Sequence, residues 1–326
     1  MRRLVKDILI VAAVAALTFI FCSRANHYVV FSGYAQGGTY AVKANIARVR
    51  ASQQDISSAI DSILTLVDTT LSGYNKSSIL SRRNAGDPVA PNALYSDILE
   101  YCTGIFEETG GCVNVAAAPL FDIWGFGFST DSLPSPELVA RTLEKCDIAS
   151  PTKLNFNAVA QGYTCDMVAA YLHSIGVKDM LVDIGEIYCE GLNPSRKPWS
   201  IGVDRPVDGN ETPGADLDGV WSSEGRSCGI VTSGNYRKFY VRDGHKYAHT
   251  IDPRTGYPVS HNLLSATIVA PTAAAADAYA TYCMVTGLEE ARDFILGRDD
   301  LEGYLIYDDG GEMKEWRSEG FTLRRD

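Results

Sequence analysis

The chain has 326 residues, 46% hydrophobic and 21% charged, ordinary values for a globular protein long enough to bury a sizeable core. The 40 acidic residues outnumber 29 basic ones, leaving a net charge of −11 with no basic block, which disfavours a nucleic-acid-binding role built on clustered Lys and Arg. Any anionic ligand must therefore be held locally, by a metal or by backbone N–H groups.

The basic stretch "MRRLVKD" precedes an uninterrupted apolar run, "ILIVAAVAALTFIF". As a helix that run spans about 21 Å, short of the roughly 30 Å of a bilayer's hydrocarbon core. It fits a signal peptide or a short membrane anchor over residues 1–27, followed by one folded domain over 28–326. The expected location is the periplasmic face of a bacterial inner membrane. Cys22 suggests lipid attachment, although Phe21 before it is a poor cleavage site. The eight cysteines form no CxxC pair, and without Cys22 their number is odd. They read as small core residues rather than as a complete disulfide framework or a zinc site.

After the apolar segment, "YVVFSGYAQGGTYAVKAN" reads as two strands joined by a glycine-containing turn. Ile56, Ile60, Ile63, Leu64, Val67 and Leu71 have helical spacing, and a polar loop, "SGYNKSSILSRRNAGDP", follows. Leu94, Ile98, Tyr101, Cys102, Ile105 and Phe106 mark a second helix, stopped by Gly110 and Gly111. "VNVAAAPLFDIWGFGF" is an apolar patch. A short strand at "LNF" enters a helix over about 158–175, and "DMLVDIG" is a strand. Further strands are expected at "WSIGVDRP", "CGIVTSG", "RKFYVRDG", "KYAHTID" and "LLSATIVA", with 207–220 an exposed acidic loop. Helices follow at about 272–286 and 288–296, and a hairpin turns at Asp308–Gly310. Grouped strands and helices indicate an α+β fold rather than a doubly wound sheet.

Several pieces have chemical potential. In "APTAAAADAYATYC", Thr272 is a candidate N-cap, and Asp277 and Thr281 lie four apart on one helix face. A carboxylate and a hydroxyl at that spacing suit a hard cation such as Mg²⁺; a solvated Asp and a Thr bonded to its own helix would explain them as well. The helix opening at Asn157 or Ala158 offers free N–H groups to phosphate, and Gly162 permits close approach of a ligand or of another backbone. "LVDIGEIYCEG" and "VTSGNY" are either ligand-facing strand ends or turns. Tyr74 with its neighbouring hydroxyls suits a planar heterocycle, or decorates a surface loop. "YAHTIDPRTGYPVSH" is a structured turn, or a loop holding a proton acceptor beside phosphate. No GxGxxG, P-loop or GxSxG signature is present.

In order along the chain, these pieces resemble the FAD:protein FMN transferases, the ApbE-type flavin transferases of bacteria. "GGTYAVK" is similar to the family's first strand motif, with Gly37 in place of Met. Ser72, Tyr74, Ser78, Leu80, Ser81 and Asn84 fit its Ser-x-Tyr-x3-Ser-x-Leu-Ser-x-x-Asn loop. "GCVNVAAAPLFDIWGFG" matches a third stretch, with Asn114 for Asp. "NAVAQGYTCD" matches Ala-x-Ala-Lys-Gly-Tyr-x-x-Asp, with Gln161 for Lys. "VDIGEI" has the single Gly185 where the family has two glycines. "VTSGNY", "HTIDPRTG" and "ADAYAT" complete the set.

The resemblance implies two intimately packed α+β subdomains, related to the T-fold. It also implies Mg²⁺-dependent transfer of FMN from FAD to a Thr or Ser hydroxyl of another protein, with release of AMP. The implied Mg²⁺ ligands are Asp277, Thr281 and the carbonyl of Ala158. The implied flavin contacts are Gly37, Tyr74, Cys112, Val113, Asn114, Asn155, Gln161 and Ile251. His249 would accept the acceptor's proton, and Asp252 would fix the loop that holds it. The implied acceptor is a membrane redox protein. Two rival readings are an FAD pyrophosphatase, with water as acceptor, and a non-catalytic flavin-binding protein.

Overall fold

The structure is a computed structural model that describes residues 26–126, 133–207, 209–210, 212–236, 239–242, 245–248 and 250–325. The apolar segment with Cys22, and His249, lie outside the described residues. The strands β1 (Tyr28–Ala35) and β2 (Gly38–Asn45) form the opening hairpin. Helices α1 (Gln53–Leu71), α2 (Ile79–Asn84) and α3 (Ala93–Glu108) follow. A 3-10 turn at Val115–Ala117 leads into α4 (Ala118–Ile123), and then come α5 (Pro136–Leu143) and α6 (Ala160–Ser174). Strands β3 (Met180–Asp183), β4 (Ile187–Glu190), β5 (Ser200–Asp204), β6 (Leu217–Ser222) and β7 (Cys228–Gly234) come next. The short β8 (Phe239–Arg242), β9 (His245–Ala248), β10 (Ile251–Asp252) and β11 (Tyr257–Pro258) precede β12 (Leu263–Ala270). Helices α7 (Ala273–Thr286) and α8 (Leu288–Leu296) and strands β13 (Glu302–Asp309), β14 (Glu312–Arg317) and β15 (Leu323–Arg324) end the chain.

One eight-stranded sheet of order β1-β2-β3-β4-β7-β12-β13-β14 organises the molecule, and its pairings are antiparallel throughout. Alternation along its strands explains the layering, because successive side chains point to opposite faces. Met180 and Val182 face a cluster with Ile56, Ile60 and Leu64 of α1 and Val168 and Leu172 of α6. Ala266, Ile268 and Leu305 face a second cluster with α3, α7 and α8. The intervening Leu181, Ile230, Val269, Tyr304 and Ile306 face the other way, onto Trp199, Trp221 and Phe321 around the small sheet β15-β6-β5. The two halves, β1–β4 with α1 and α6, and β7 and β12–β14 with α7 and α8, thus share one sheet.

Helix boundaries follow their caps. Ser52 and Asp55 form a reciprocal capping box at the start of α1, and Asn92 caps α3 through the Tyr95 N–H. Gly110 and Gly111, both at positive φ, end the α3 region. Three expectations need correction. The loop after α1 contains α2, because Ser78 caps it by accepting from Ser81 N. The 207–220 stretch gives way to strand at Leu217, which pairs with Asp204. No strand forms at Leu154–Phe156, where Asn84 holds the Leu154 backbone instead.

Candidate active site

The site begins where α6 meets α7. The Ala160 N–H donates to the Phe156 carbonyl at 2.8 Å, and the Tyr163 N–H donates to the Val159 carbonyl at 2.9 Å. Between them, the Gly162 N–H turns aside and donates to Asp277 Oδ2 at 3.2 Å. An ordinary helical turn would direct that N–H to the carbonyl of Ala158. The diversion delays the start of α6 to Ala160 and leaves the Ala158 carbonyl without this partner. It also engages one of the N–H groups expected to attract phosphate there. Gly162 is required by contact: a Cβ would lie 2.3 Å from the Ala273 carbonyl oxygen. The close approach foreseen at this glycine is thus with a neighbouring backbone.

Asp277 is 4% exposed, and burial pushes its carboxyl up to about 7. The nearby Asp166 adds to that rise by like-charge repulsion. Asp166 itself accepts from Ala273 N and Ala274 N, each at 2.9 Å, and so caps α7 together with Thr272, which accepts from Ala275 N at 3.1 Å. Burial pushes Asp166 up to about 6 despite those bonds. Two buried carboxylates with no Lys, Arg or His partner among the described residues are costly, because desolvated charge needs compensation. A divalent cation would supply it. Thr281 lies one turn beyond Asp277 on α7 and, among the described residues, does not bond back to its own helix, whereas the Thr286 hydroxyl donates to the Tyr282 carbonyl at 3.0 Å. Carboxylate, hydroxyl and carbonyl are all oxygen donors, the set a hard cation takes. The described residues contain no cluster of three His, Cys, Asp or Glu able to hold a metal. The donor set fits Mg²⁺, with its remaining positions left for water or phosphate.

Beside this junction lies a cavity of about 920 Å³, bounded by the tip of the β1–β2 hairpin, the Asp61–Leu71 face of α1, Ser72–Asn75 and the Asn157–Gln161 segment. A second cavity of about 410 Å³ adjoins it and shares Gly73, Tyr74 and Asn157; its walls include Lys76, Asn84, Phe121, Lys153 and Asn155. Gly37, Tyr74 and Gln161 line the larger space, and Tyr74 and Asn155 the smaller. Tyr74 is 66% exposed. Gln161 Nε2 donates to the Ile184 carbonyl at 3.2 Å. Gly185, at φ +94°, lets it approach, because a Cβ there would sit 2.7 Å from that amide nitrogen. "VDIGEI" is therefore a turn packed on the cavity wall.

Cys112, Val113, Asn114 and Ile251 are not among the residues lining these two cavities. Cys112 and Val113 are buried, and burial pushes the Cys112 thiol up to about 11. The Asn114 side chain accepts from Ala116 N at 2.9 Å and donates to the Cys146 carbonyl at 2.9 Å. Ile251 is buried against Leu120, Trp124 and Val139. In the loop after His249, Asp252 forms a two-point ion pair with Arg254, and its carbonyl accepts from Gly256 N at 2.8 Å. The Gly256 carbonyl accepts from Trp124 Nε1 at 2.8 Å. Thr250 Oγ1 donates to Asn235 at 2.7 Å. Asp252 thus holds the turn. The Thr232 hydroxyl is engaged inside the sheet with that of Thr267, at 2.8 Å.

Sequence reasoning missed Asp166 and Asn84 as organising residues. Asp166 closes the "NAVAQGYTCD" stretch, and its position four residues after Gly162 on one helix was the available signal. Asn84 both donates to and accepts from the Leu154 backbone, at 2.8 and 2.9 Å; its partner is 70 residues away, beyond the reach of local pattern.

A profile of the ApbE family matches residues 37–305. The chain is 30% identical to the FAD:protein FMN transferase of Haemophilus influenzae, an alignment covering 94% of this chain and 93% of that one. It is also 30% identical to the FAD:protein FMN transferase of Escherichia coli, covering 94% of each. Among solved structures, the flavin transferase ApbE from Vibrio cholerae superposes with a TM-score of 0.77 at 28% identity, over 90% of this chain and 98% of that one. The family resemblance read from the motifs and the mixed α/β fold both hold, and the chain belongs to the ApbE family of FAD:protein FMN transferases.

Proposed function

We propose that this chain moves the FMN half of FAD onto a Thr or Ser hydroxyl of a target protein through a phosphoester bond, with Mg²⁺ held by Asp277, Thr281 and the Ala158 carbonyl, and with AMP as leaving group. The observation that carries the reading is the buried Asp277 carboxylate. It has one backbone hydrogen bond and no cationic partner among the described residues; the Gly162 amide that makes the bond directly follows Gln161, which lines a cavity of the volume that ligand sites commonly have.

Tyr74 and Gln161 would orient the dinucleotide, and the Gly162–Asp277 bond would hold the carboxylate and the Ala158 carbonyl in one place. When bound, Mg²⁺ supplies charge neutralisation for the diphosphate and for the oxygen that departs with AMP. A neutral imidazole at His249 would take the proton of the incoming hydroxyl, since imidazole titrates near working pH. The Asp252–Arg254 pair and the Gly256–Trp124 bond would keep the loop following it fixed. By the same reading, the acceptor is a membrane redox protein. The apolar N-terminal run would bring the enzyme to that protein at the periplasmic face of the inner membrane, as a signal peptide, anchor or lipid-attachment segment.

The test mixes purified chain, FAD, Mg²⁺ and a candidate acceptor and follows flavin fluorescence on the denatured acceptor. His249→Ala should lower transfer by at least about 100-fold while FAD binding is kept. Equal loss of binding and transfer would make His249 structural. AMP and free FMN formed at the full rate without acceptor would make water the acceptor instead.

A further inference from the structure

The two halves of the sheet meet along only three residue pairs: Ile187 with Ile230, Tyr188 with Gly229, and Cys189 with Cys228. The last pair sets two thiols directly opposite each other, with their sulfurs 4.0 Å apart. Both are buried, on the face covered by the small sheet. Residues directly opposed on antiparallel strands have Cα atoms about 4.5 or 5.5 Å apart. Both spacings fall within the roughly 4.4–6.8 Å that a disulfide spans, so side-chain rotation suffices to join them. On the opposite face the Tyr188 and Ser227 hydroxyls bond at 2.6 Å, which fixes the strands in this register.

We propose that Cys189 and Cys228 form a reversible cross-strand disulfide that staples the two halves of the sheet together. The oxidant is an external disulfide, of the oxidised-glutathione or thiol-oxidoreductase class. The Cys228 thiolate attacks one sulfur of that disulfide and expels its partner as a thiolate. The Cys189 sulfur then displaces the second, and the two thiol protons pass, through solvent, to the two expelled thiolates. The products are one protein disulfide and two equivalents of reduced thiol. Cys228 is the entry point: its contact with the Cys189 thiol, in which either sulfur can be the donor, and the nearby Arg226 guanidinium hold its thiol below the usual range, while Cys189 is held well above it.

The bond would close the stretch holding β5 and β6, whose ends are 39 positions apart, and such a link stabilises chiefly by restricting the unfolded chain. Across the sheet from the link, α7 packs against the same strand. At Gly229, beside Cys228, a Cβ would lie 2.3 Å from the Cα of Ala273, the first residue of α7. This inference stands apart from the transfer reaction.

The experiment equilibrates the full chain in glutathione buffers from reducing to oxidising, quenches in acid, blocks free thiols with N-ethylmaleimide and maps peptides by mass. The expected result is a peptide pair joined through Cys189 and Cys228, about 2 Da lighter than the two thiol forms. The melting temperature should rise by about 5 °C on oxidation in the wild type, with no rise in Cys228→Ser or in Cys189→Ala. A parallel arm oxidises the folded chain with diamide, a small oxidant able to reach buried thiols. Full alkylation of both cysteines after both treatments, or linkage of either to a different cysteine, would overturn the proposal.

Discussion

The Gly162 amide donates to the Asp277 carboxylate across two packed helices at 3.2 Å, and by doing so releases the Ala158 carbonyl from its own helix. A single hydrogen bond therefore shapes two of the three oxygens assigned to the metal. Gly162→Ala tests how far this depends on backbone contact. A methyl group 2.3 Å from the Ala273 carbonyl oxygen must push α6 from α7, at a cost of about 3 kcal/mol. The variant should melt well below the wild type, and Mg²⁺ should restore less of its stability than it adds to the wild type. An unchanged melting temperature in both conditions would mean that the helices can part freely.

The Asp166–Asp277 pair predicts how stability without metal depends on pH. Native carboxyl values of about 6 and 7 lie above the unfolded value of 3.8, so the folded chain holds protons that the unfolded chain releases. This contribution is complete below about pH 4 and is lost as pH rises through 7. In EDTA the melting temperature should therefore carry a falling component across that window. Saturating Mg²⁺ should flatten it, because the cation compensates the charge, and Asp277→Asn should remove most of it. Asp277→Asn should also lower transfer by at least about 100-fold. A wild-type profile in EDTA that matches the variant's would remove the electrostatic argument for a cation.

Legibility in the sequence followed the range of the interactions. Helices α1 and α3 were readable because apolar spacing is local, and α7 because its cap, Thr272, is local too. Asp277 and Thr281 were readable as a pair because they share one helix face. The burial of Asp277 was not, since it comes from Gly162 and Asp166 on another helix, more than 100 positions away. The start of α6 was misplaced for the same reason: the N–H that would have closed its first turn has a partner outside the local chain. Asn155, Tyr74 and Gln161 were named by motif, while the cavities joining them arise only when α1, the hairpin and α6 pack together.

Asn84 predicts a separation of binding from chemistry. Its amide clamps the Leu154 backbone from both sides, at 2.8 and 2.9 Å, beside the wall formed by Asn155 and Tyr74. Asn84→Ala leaves a backbone donor and acceptor without these partners, costing about 1–3 kcal/mol. The variant should raise KM for FAD several-fold with kcat changed less than twofold, since no group near Asp277 moves. A fall in kcat with unchanged KM would place Asn84 in the chemistry instead.

His261 gives a pH prediction of opposite sign. Its Nδ1 accepts from Leu263 N at 3.2 Å, so the proton sits on Nε2, which donates to the Met284 carbonyl at 2.9 Å. Protonating Nδ1 would set two hydrogens against each other in a buried place, and burial already lowers this histidine below its ordinary 6.5. The neutral form's contribution is complete above pH 6.5 and is lost as pH falls through the lowered native value. The slope for one proton cannot exceed about 1.4 kcal/mol per pH unit. His261→Gln keeps a donor for Met284 but does not titrate. The wild-type melting temperature should therefore drop relative to the variant's between pH 6.5 and 5, and the difference cancels the carboxylate component common to both. A constant gap between the two curves would show that the ring stays neutral, or is protonated equally, in the folded and unfolded chain.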